Sequence, residues 1–492
     1  MSNGEASAAT LSASVKAEDV RKSPVEAART AAKNITAKEW WIVAALAAYA
    51  LARFAPPLQG LTDISQAVLG VMLAGTILWI TEAVPIGATA VVVLVLLGLS
   101  PGMRLSDAVG GFASDVVFFL IGAVAIGTAV EASGLAERAA RFLHRGARGN
   151  PTRLFAQMML GLPPLALLIP SAITRNAILI PAYREALDTM RVSHSGRVGR
   201  AVMLALGMLN PLASSALLTG GITSITAATL LGGFSWARWF ALMALPYYAL
   251  IFLGGLYLRL TIGKFESGAG ESAERPARKP LSPAEIRVLA VLALTSLLWL
   301  TDSIHHLSPA IPALIGAALL IFPRTGVLSW KAFETKLSWG LILTVGTSLS
   351  LAAAMTKSGA AAWLGQEFLG LLSGMTAHPL MLVVLLIVAV AVVHLAITNL
   401  AACIALLMPI TMTIAQAAGL NPIVCGLVIT IVVDAVILYP VQTAANLLAY
   451  ESGYFDAADV RRLGAGMLVL TIVVALASLP YWALLGLPLL GQ

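Results

Sequence analysis

Four short groups of polar residues interrupt long apolar stretches of this chain. They lie at residues 170–176, 214–224, 398–399 and 439–446. The free N–H groups at a helix N-terminus suit a carboxylate or a similar oxyanion. Unwound carbonyls, together with Ser, Thr and Asn oxygens, suit a small hard cation such as Na⁺. The sequence therefore predicts that an anion and a cation are bound together at these interruptions.

Two other interpretations of the polar residues remain open at this point. Small polar side chains also join helices inside membrane bundles, so any one of them could serve packing alone. Arg175 is the one cation within the interruptions, and a buried cation in a membrane suggests a function. It could pair with a substrate carboxylate or replace a sodium ion as a fixed charge; alternatively it pairs with Glu82 or Asp434. His394 fits helix packing better than a proton relay.

The composition identifies the environment in which these groups must act. Hydrophobic residues form 59% of the 492 residues and charged residues only 11%. A soluble domain carries about 25% charged residues, so this chain cannot build an aqueous surface of its size. The net charge of +7 comes from short basic clusters between apolar runs, a placement typical of membrane topology rather than of nucleic-acid binding.

The apolar pattern predicts an all-α polytopic membrane protein with about 11 transmembrane helices, each needing roughly 20 apolar residues. Two longer stretches, about 152–190 and about 377–416, are broken near their middle and are interpreted as re-entrant helical hairpins. A pair of ordinary helices in each stretch is the alternative. The predicted spans are 40–57, 62–83, 85–100, 112–136, 197–215, 236–262, 283–301, 308–323, 338–357, 421–440 and 462–487.

The basic residues orient this layout. With a cytoplasmic N-terminus and both hairpins returning to their own side, 26 of the 31 Lys and Arg residues fall on the cytoplasmic side. This distribution follows the positive-inside rule and predicts a multi-pass protein of a bacterial-type inner (plasma) membrane. Residues 1–38 lack an apolar core segment and are expected to be a disordered cytoplasmic tail. The C-terminus is expected outside.

Matching fragments divide the chain into two repeats. Leu-Trp-Ile-Thr-Glu at 78–82 returns as Leu-Trp-Leu-Thr-Asp at 298–302, and Ala-Ile-Thr occurs at 172–174 and again at 396–398. A first repeat with an odd number of spans would leave the second inverted, as in secondary transporters whose substrate site lies at the membrane midplane. The predicted units are a first repeat at 39–262, a cytoplasmic linker at 263–282 and a second, inverted repeat at 283–492.

Two segments of the sequence resemble a known family. Leu78 to Pro85 (LWITEAVP) is similar to the W-x-T-E-A-[IV]-P signature of the divalent anion:sodium symporter family. Residues 439–446 (YPVQTAAN), followed by Gly453-Tyr454, resemble that family's P-x-x-T-x-P-N…G-Y segment. The similarity extends from about 40 to 487. It implies scaffold and transport domains, an elevator movement, a homodimer, and di- or tricarboxylate or sulfate substrates.

The sequence also departs from the family pattern. Ser171-Ala172-Ile173 stands where the family has Ser-Asn-Thr. Ala445 occupies the position at which the family pattern has a proline just before the asparagine. Arg175 falls at the position of the arginine in the P-S-N-T-A-R pattern of an anion-exchanging subgroup. These departures bear on the number of sodium sites and on selectivity.

The resulting prediction is an elevator-type secondary active transporter of a small divalent organic anion, coupled to Na⁺. Na⁺-independent anion exchange, sulfate or other oxyanion transport, and an anion channel are the alternatives. An enzyme is not expected, since no nucleophile–base or metal motif is present. Beyond Na⁺ no cofactor is expected; the lipid bilayer and a second copy of the chain are the predicted partners. The predicted substrate-binding residues are Ser171, Thr174, Arg175, Thr219, Thr398, Asn399 and Thr443, and the predicted Na⁺ ligands are Ser171, Ser215, Gly220, Thr398, Asn399 and Asn446.

Overall fold

The computed structural model describes residues 24–81, 83–135, 138, 150–169, 171–193, 196–265, 280–324, 326–337, 339–371, 378–397 and 400–490. Within these ranges the chain is helical, and a single antiparallel bridge between Leu420 and Leu490 is the only other regular pairing. The prediction of an all-α membrane fold is confirmed. Thr398 and Asn399 of the predicted site, and Glu82, lie outside the described residues.

The helices follow the predicted spans closely. Two short 3₁₀ helices, Gly110–Ala113 and Pro440–Gln442, accompany them. The α-helices in the described ranges are α1 (Pro24–Phe54), α2 (Asp63–Thr81), α3 (Ile86–Gly98), α4 (Leu105–Ala108), α5 (Asp115–Ala132), α6 (Pro151–Leu168), α7 (Ala172–Thr189), α8 (Arg197–Met208), α9 (Asn210–Ser215), α10 (Ile222–Leu230), α11 (Trp236–Ile262), α12 (Pro283–Leu300), α13 (Asp302–His305), α14 (Ala310–Ile321), α15 (Trp330–Lys336), α16 (Trp339–Ser358), α17 (Ala360–Leu371), α18 (Pro379–Ala396), α19 (Leu400–Ala417), α20 (Pro422–Ala435), α21 (Ala444–Tyr450) and α22 (Ala457–Leu484).

Six of these helices are long and apolar enough to cross a membrane: α2, α5, α11, α12, α16 and α22. Shorter apolar helices, among them α3, α14 and α20, accompany them. The two stretches predicted as hairpins are each a pair of 18-residue helices with a short break, α6–α7 and α18–α19. Helix α1 starts at Pro24, within the segment whose composition suggested a tail, and the 12-residue helix α17 was not predicted.

Local signals in the sequence explain where the helices around the interruptions begin. A polar side chain accepts a hydrogen bond from the backbone two or three residues later and so replaces a missing helical partner. Asn150 caps α6, Asn421 caps α20, and a proline follows each of them at the first helical position, where its missing N–H costs nothing. Ser235 and Asp456 cap the long helices α11 and α22.

Helix contacts occur in matching sets in the two halves of the chain. The contact of α3 with α16 corresponds to the contact of α14 with α5. In the same way, α10 with α19 corresponds to α21 with α7, and α6 with α8 corresponds to α18 with α20. The first two of these sets join one half to the other, and the third lies within each half. This is the pattern that two related repeats would produce, while their opposite orientation in a membrane stays a prediction.

The second and fourth interruptions each divide a broken helix into two arms: α8–α9 and α10 in the first broken helix, and α20 and α21 in the second. The first arms, α8–α9 and α20, lie at the centre of the bundle. Every residue at 201–210 in the first, and at 424–437 in the second, is buried. A helix that is apolar all round is expected to be surrounded by protein. Helices α6–α11 and α18–α22 gather around this centre, whereas α1–α5 and α12–α16 pack mostly among themselves. The interruptions that follow the two arms are therefore held deep in the protein.

Candidate functional site

The first hairpin turns between Leu168 and Ala172, and its second helix begins with a serine cap. The Ser171 hydroxyl accepts a hydrogen bond from the backbone N–H of Thr174 at 3.2 Å. Ser171 itself is exposed and Thr174 is half-buried. The interruption is shorter than the predicted 170–176, because the serine cap lets the chain return to a helix at once. Thr174 and Arg175 thus lie in the first turn of α7.

Arg175 is fully buried and ties the hairpin turn to the first broken helix. Its Nη1 donates to the carbonyl of Ile169 at 2.6 Å, its Nε to Asn210 Oδ1 at 2.8 Å and its Nη2 to the Asn210 carbonyl at 2.7 Å. None of the ion pairs in the described ranges joins Arg175 to Asp434. The guanidinium therefore binds carbonyl oxygens that an unwound turn would otherwise offer to a small cation.

Two asparagines extend this contact to the other half of the chain. Asn210 Nδ2 donates to Asn176 Oδ1 at 2.7 Å. Asn176 Nδ2 donates to the carbonyls of Leu206 and Ala445, both at 2.9 Å. Ala445 lies in the first turn of α21, directly after the fourth interruption, so this network joins the first hairpin to both broken helices. Asn210 was not among the predicted site residues; its signal in the sequence was an Asn-Pro pair inside an otherwise apolar span.

The second interruption is an unwound segment, residues 216–221, between α9 and α10. Thr219 Oγ1 accepts a hydrogen bond from Trp236 Nε1 at 3.1 Å. The carbonyl of Ser215 accepts from Ser224 Oγ at 3.0 Å. A Cβ atom on Gly220 would lie 2.0 Å from the Ser214 carbonyl oxygen, so the turn folds back more closely than any side chain allows. Gly220 is thus required by the path of the backbone.

The fourth interruption runs from Val436 to Thr443 and is supported by its own side chains. Gln442 accepts from the N–H of Leu438 at 2.7 Å and donates to the carbonyl of Val436 at 3.1 Å. The Thr443 hydroxyl caps α21 by accepting from the N–H of Asn446 at 3.2 Å. These bonds satisfy backbone groups that a continuous helix would have paired.

Asn446 is fully buried beside this interruption. Its Nδ2 donates to the carbonyl of Pro440 at 3.1 Å. Its Oδ1 has no hydrogen-bond partner among the described residues and faces Gly207, where an added Cβ would lie 2.6 Å away. A buried acceptor without a partner is uncommon in native proteins.

The second hairpin is joined to the fourth interruption near its turn. Tyr439 Oη donates to the carbonyl of Leu395 at 2.8 Å. His394, just before the turn, is fully buried, and its Nδ1 lies 3.2 Å from the Ile397 carbonyl oxygen. The predicted ligands Thr398 and Asn399 follow directly but fall outside the described residues. The structure thus brings both hairpins and both broken helices to one central region.

A helical bundle in which two hairpins meet two unwound helices is the architecture of a secondary membrane transporter. Comparison with known proteins agrees with this class. The chain matches the sodium:sulfate symporter transmembrane region over residues 36–488 and belongs to that family. The resemblance to divalent anion:sodium symporters is thereby confirmed. The chain is a multi-pass integral membrane transporter and not an enzyme.

The chain matches curated relatives over nearly their whole length. The chain is 25% identical over 455 residues to a sodium-dependent dicarboxylate transporter of Staphylococcus saprophyticus, covering 85% of this chain and 86% of the relative. It is 26% identical over 482 residues to an L-tartrate/succinate antiporter of Escherichia coli, covering 89% and 96%. Among solved structures, the YdaH transporter of Alcanivorax borkumensis shares the fold with a TM-score of 0.55 at 15% identity, covering 85% of this chain and 99% of that chain.

Proposed function

We propose that this protein is a secondary active transporter of a small divalent organic anion such as a dicarboxylate. One observation carries the proposal: the Asn176–Ala445 hydrogen bond holds the first hairpin against the first turn of α21, which directly follows the unwound part of the second broken helix. Two helix interruptions meeting inside a membrane bundle create a polar site at membrane depth. The dicarboxylate and tartrate/succinate relatives support the substrate class.

The anion is proposed to bind between the hairpin turns. Positive charge is supplied by the N-terminus of α7 at Ser171 and by the nearby Arg175. The hydroxyls of Thr174, Thr219 and Thr443 provide neutral donors, as would Thr398 and Asn399 at the second turn. A dianion needs such donors because desolvating it without them is costly. Sulfate is the alternative substrate with the same charge.

The proposed coupling ion is Na⁺, and exchange of one anion for another is the second candidate mode. Exchange is favoured by one specific contact set. Arg175 donates to the carbonyls of Ile169 and Asn210, and its fixed charge can replace that of a sodium ion at the first hairpin turn.

Uptake into proteoliposomes should separate these modes. We expect saturable, concentrative uptake of labelled succinate or L-tartrate by the purified protein. In symport, an inward Na⁺ gradient drives accumulation, and replacing Na⁺ by K⁺ abolishes it. In exchange, unlabelled anion inside the vesicles drives uptake equally in Na⁺ and in K⁺.

Protein-free vesicles and vesicles with an unrelated transporter are the controls for this assay. Downhill flux that neither saturates nor accumulates would contradict carrier transport and identify an anion channel. Absence of flux for di- and tricarboxylates, sulfate and sulfonates alike would contradict the proposed substrate class.

The remaining features are proposed from the family resemblance and the packing. The two groups of helices, α6–α11 with α18–α22 and α1–α5 with α12–α16, fit a transport domain that moves as an elevator against a scaffold. A homodimer in a bacterial-type inner membrane, with the N-terminus in the cytoplasm and the C-terminus outside, completes the proposal.

A further inference from the structure

A buried carboxylate to which no described residue supplies an ionic partner lies next to the first unwound segment. Asp434 is 5% exposed and stands one residue before the end of α20. The carboxylate is thus deep inside the protein, where an isolated ionised group is costly. None of the functions assigned above uses this side chain.

Hydroxyl groups from three other helices surround Asp434. Its Oδ2 accepts from Tyr247 Oη at 2.6 Å and from Thr223 Oγ1 at 3.1 Å, and the Ser215 hydroxyl lies beside the carboxyl group. Tyr247 Oη also lies 3.5 Å from the Thr430 carbonyl oxygen. The side chains of Ser215, Thr223 and Tyr247 are buried as well. These oxygens form a compact cluster that excludes solvent.

No basic side chain compensates this carboxylate within the described ranges. Helices α9, α10 and α19 carry no charged residue. Arg238 and Arg259 of α11 donate to the carbonyls of Leu485 and Gly263. His394 of α18 contacts the Ile397 carbonyl, and the arginines at 461–462 of α22 are exposed. The ion pairs of the described residues do not include Asp434.

The chemistry of the cluster fits a single hard monovalent cation. Carboxylate, hydroxyl and carbonyl oxygens are the ligands that hard cations prefer. One carboxylate balances one positive charge, whereas a divalent ion would leave a net buried charge. The hydroxyl protons that now point to Asp434 can turn away when a cation takes their place. The cluster thus supplies both charge and ligands.

We infer that Asp434, with Ser215, Thr223 and Tyr247, forms a Na⁺ site behind the first unwound segment. This inference rests on the proposed transport function. It places one of the predicted Na⁺ ions at Asp434, behind the first unwound segment. It keeps Ser215 as a ligand and includes neither Gly220 nor Ser171, at whose turn Arg175 already binds the Ile169 carbonyl. Ser215 and Thr223 flank residues 216–221, so an ion held there fixes the segment that carries Thr219. Cation binding and anion binding would thereby be linked.

The test measures thermal unfolding of the purified full-length protein in NaCl and in choline chloride at equal ionic strength. We expect Na⁺ to raise the Tm of the wild type by about 2–5 °C, since a ligand that binds only the native state stabilises it. Asp434→Asn keeps the shape and the hydrogen bonds but removes the charge, and we expect the Na⁺ shift to vanish. Thr223→Val should reduce the shift without abolishing it.

Asp188→Asn is the matched control, because Asp188 is an exposed carboxylate on α7; it should keep the full Na⁺ shift. An equal Na⁺ shift in the wild type and in Asp434→Asn would overturn the inference, as would no shift in a wild type that transports anions. A shift produced by acid and not by Na⁺ would assign the site to a proton and also overturn it. A Na⁺ shift lost only in Asp434→Asn, in a protein that moves no organic anion, would support the site and refute the proposed function.

Discussion

Replacing Asn210 by alanine is expected to lower the stability of the protein by about 3 kcal/mol and to abolish anion uptake. The side chain accepts from Arg175 Nε and donates to Asn176 Oδ1. Its removal leaves a buried guanidinium N–H and a buried amide oxygen without partners, and each unsatisfied group adds to the cost. Of the described hydrogen bonds between the first hairpin and the first broken helix, those to the backbone carbonyls of residue 210 and Leu206 would remain, so the attachment would be weakened.

The measurement is thermal unfolding in detergent, combined with uptake per folded protein in proteoliposomes. Asn150→Ala is the matched control, since Asn150 is an exposed helix cap that accepts from the Arg153 N–H. Its loss should cost about 1 kcal/mol and leave uptake near the wild-type rate. If the two variants unfold at the same temperature, the buried network does not support the hairpin as described.

Much of the fold could be predicted because apolar runs and helix caps are local signals. The predicted span 236–262 agrees with α11 at both ends, since Ser235 caps it and Gly263 follows it. Polar residues in the middle of the two long stretches predicted a break there, and each stretch is a pair of helices; the re-entrant path of each pair stays a prediction. Helix α1 begins earlier than predicted because its first turns are Ala-rich and polar, and such turns give no hydropathy signal.

The site was less predictable because its contacts join residues far apart in the chain. Asn176 and Ala445 are 269 positions apart, and no pattern of types or spacing pairs them. Asn210 lay within a predicted span. The sequence alone does not distinguish a polar residue that joins two helices there from one that positions a binding site. Asp434 was considered only as a partner for Arg175, but the structure surrounds it with hydroxyl groups.

The unwound segment after α9 offers a second large effect and a neighbouring control. In Gly220→Ala, the new Cβ would lie 2.0 Å from the Ser214 carbonyl oxygen, which belongs to the backbone and cannot rotate away. The segment must therefore shift, which displaces Thr219 from Trp236 Nε1 and moves Ser215 and Thr223 apart. We expect loss of uptake and a destabilisation of about 2–4 kcal/mol, typical of overpacking in a close-packed interior.

Gly221→Ala should behave differently although it changes the adjacent residue. Gly221 has φ −150° and ψ 151°, an extended conformation open to any residue, and a Cβ there meets nothing nearer than 3.4 Å. We therefore expect Gly221→Ala to keep most of the uptake and stability, compared by the same uptake and unfolding assays. Equal losses in the two variants would mean that glycine flexibility, rather than the close approach at Gly220, is what transport requires. A loss confined to Gly220→Ala would show that the backbone path itself positions the oxygens around the site.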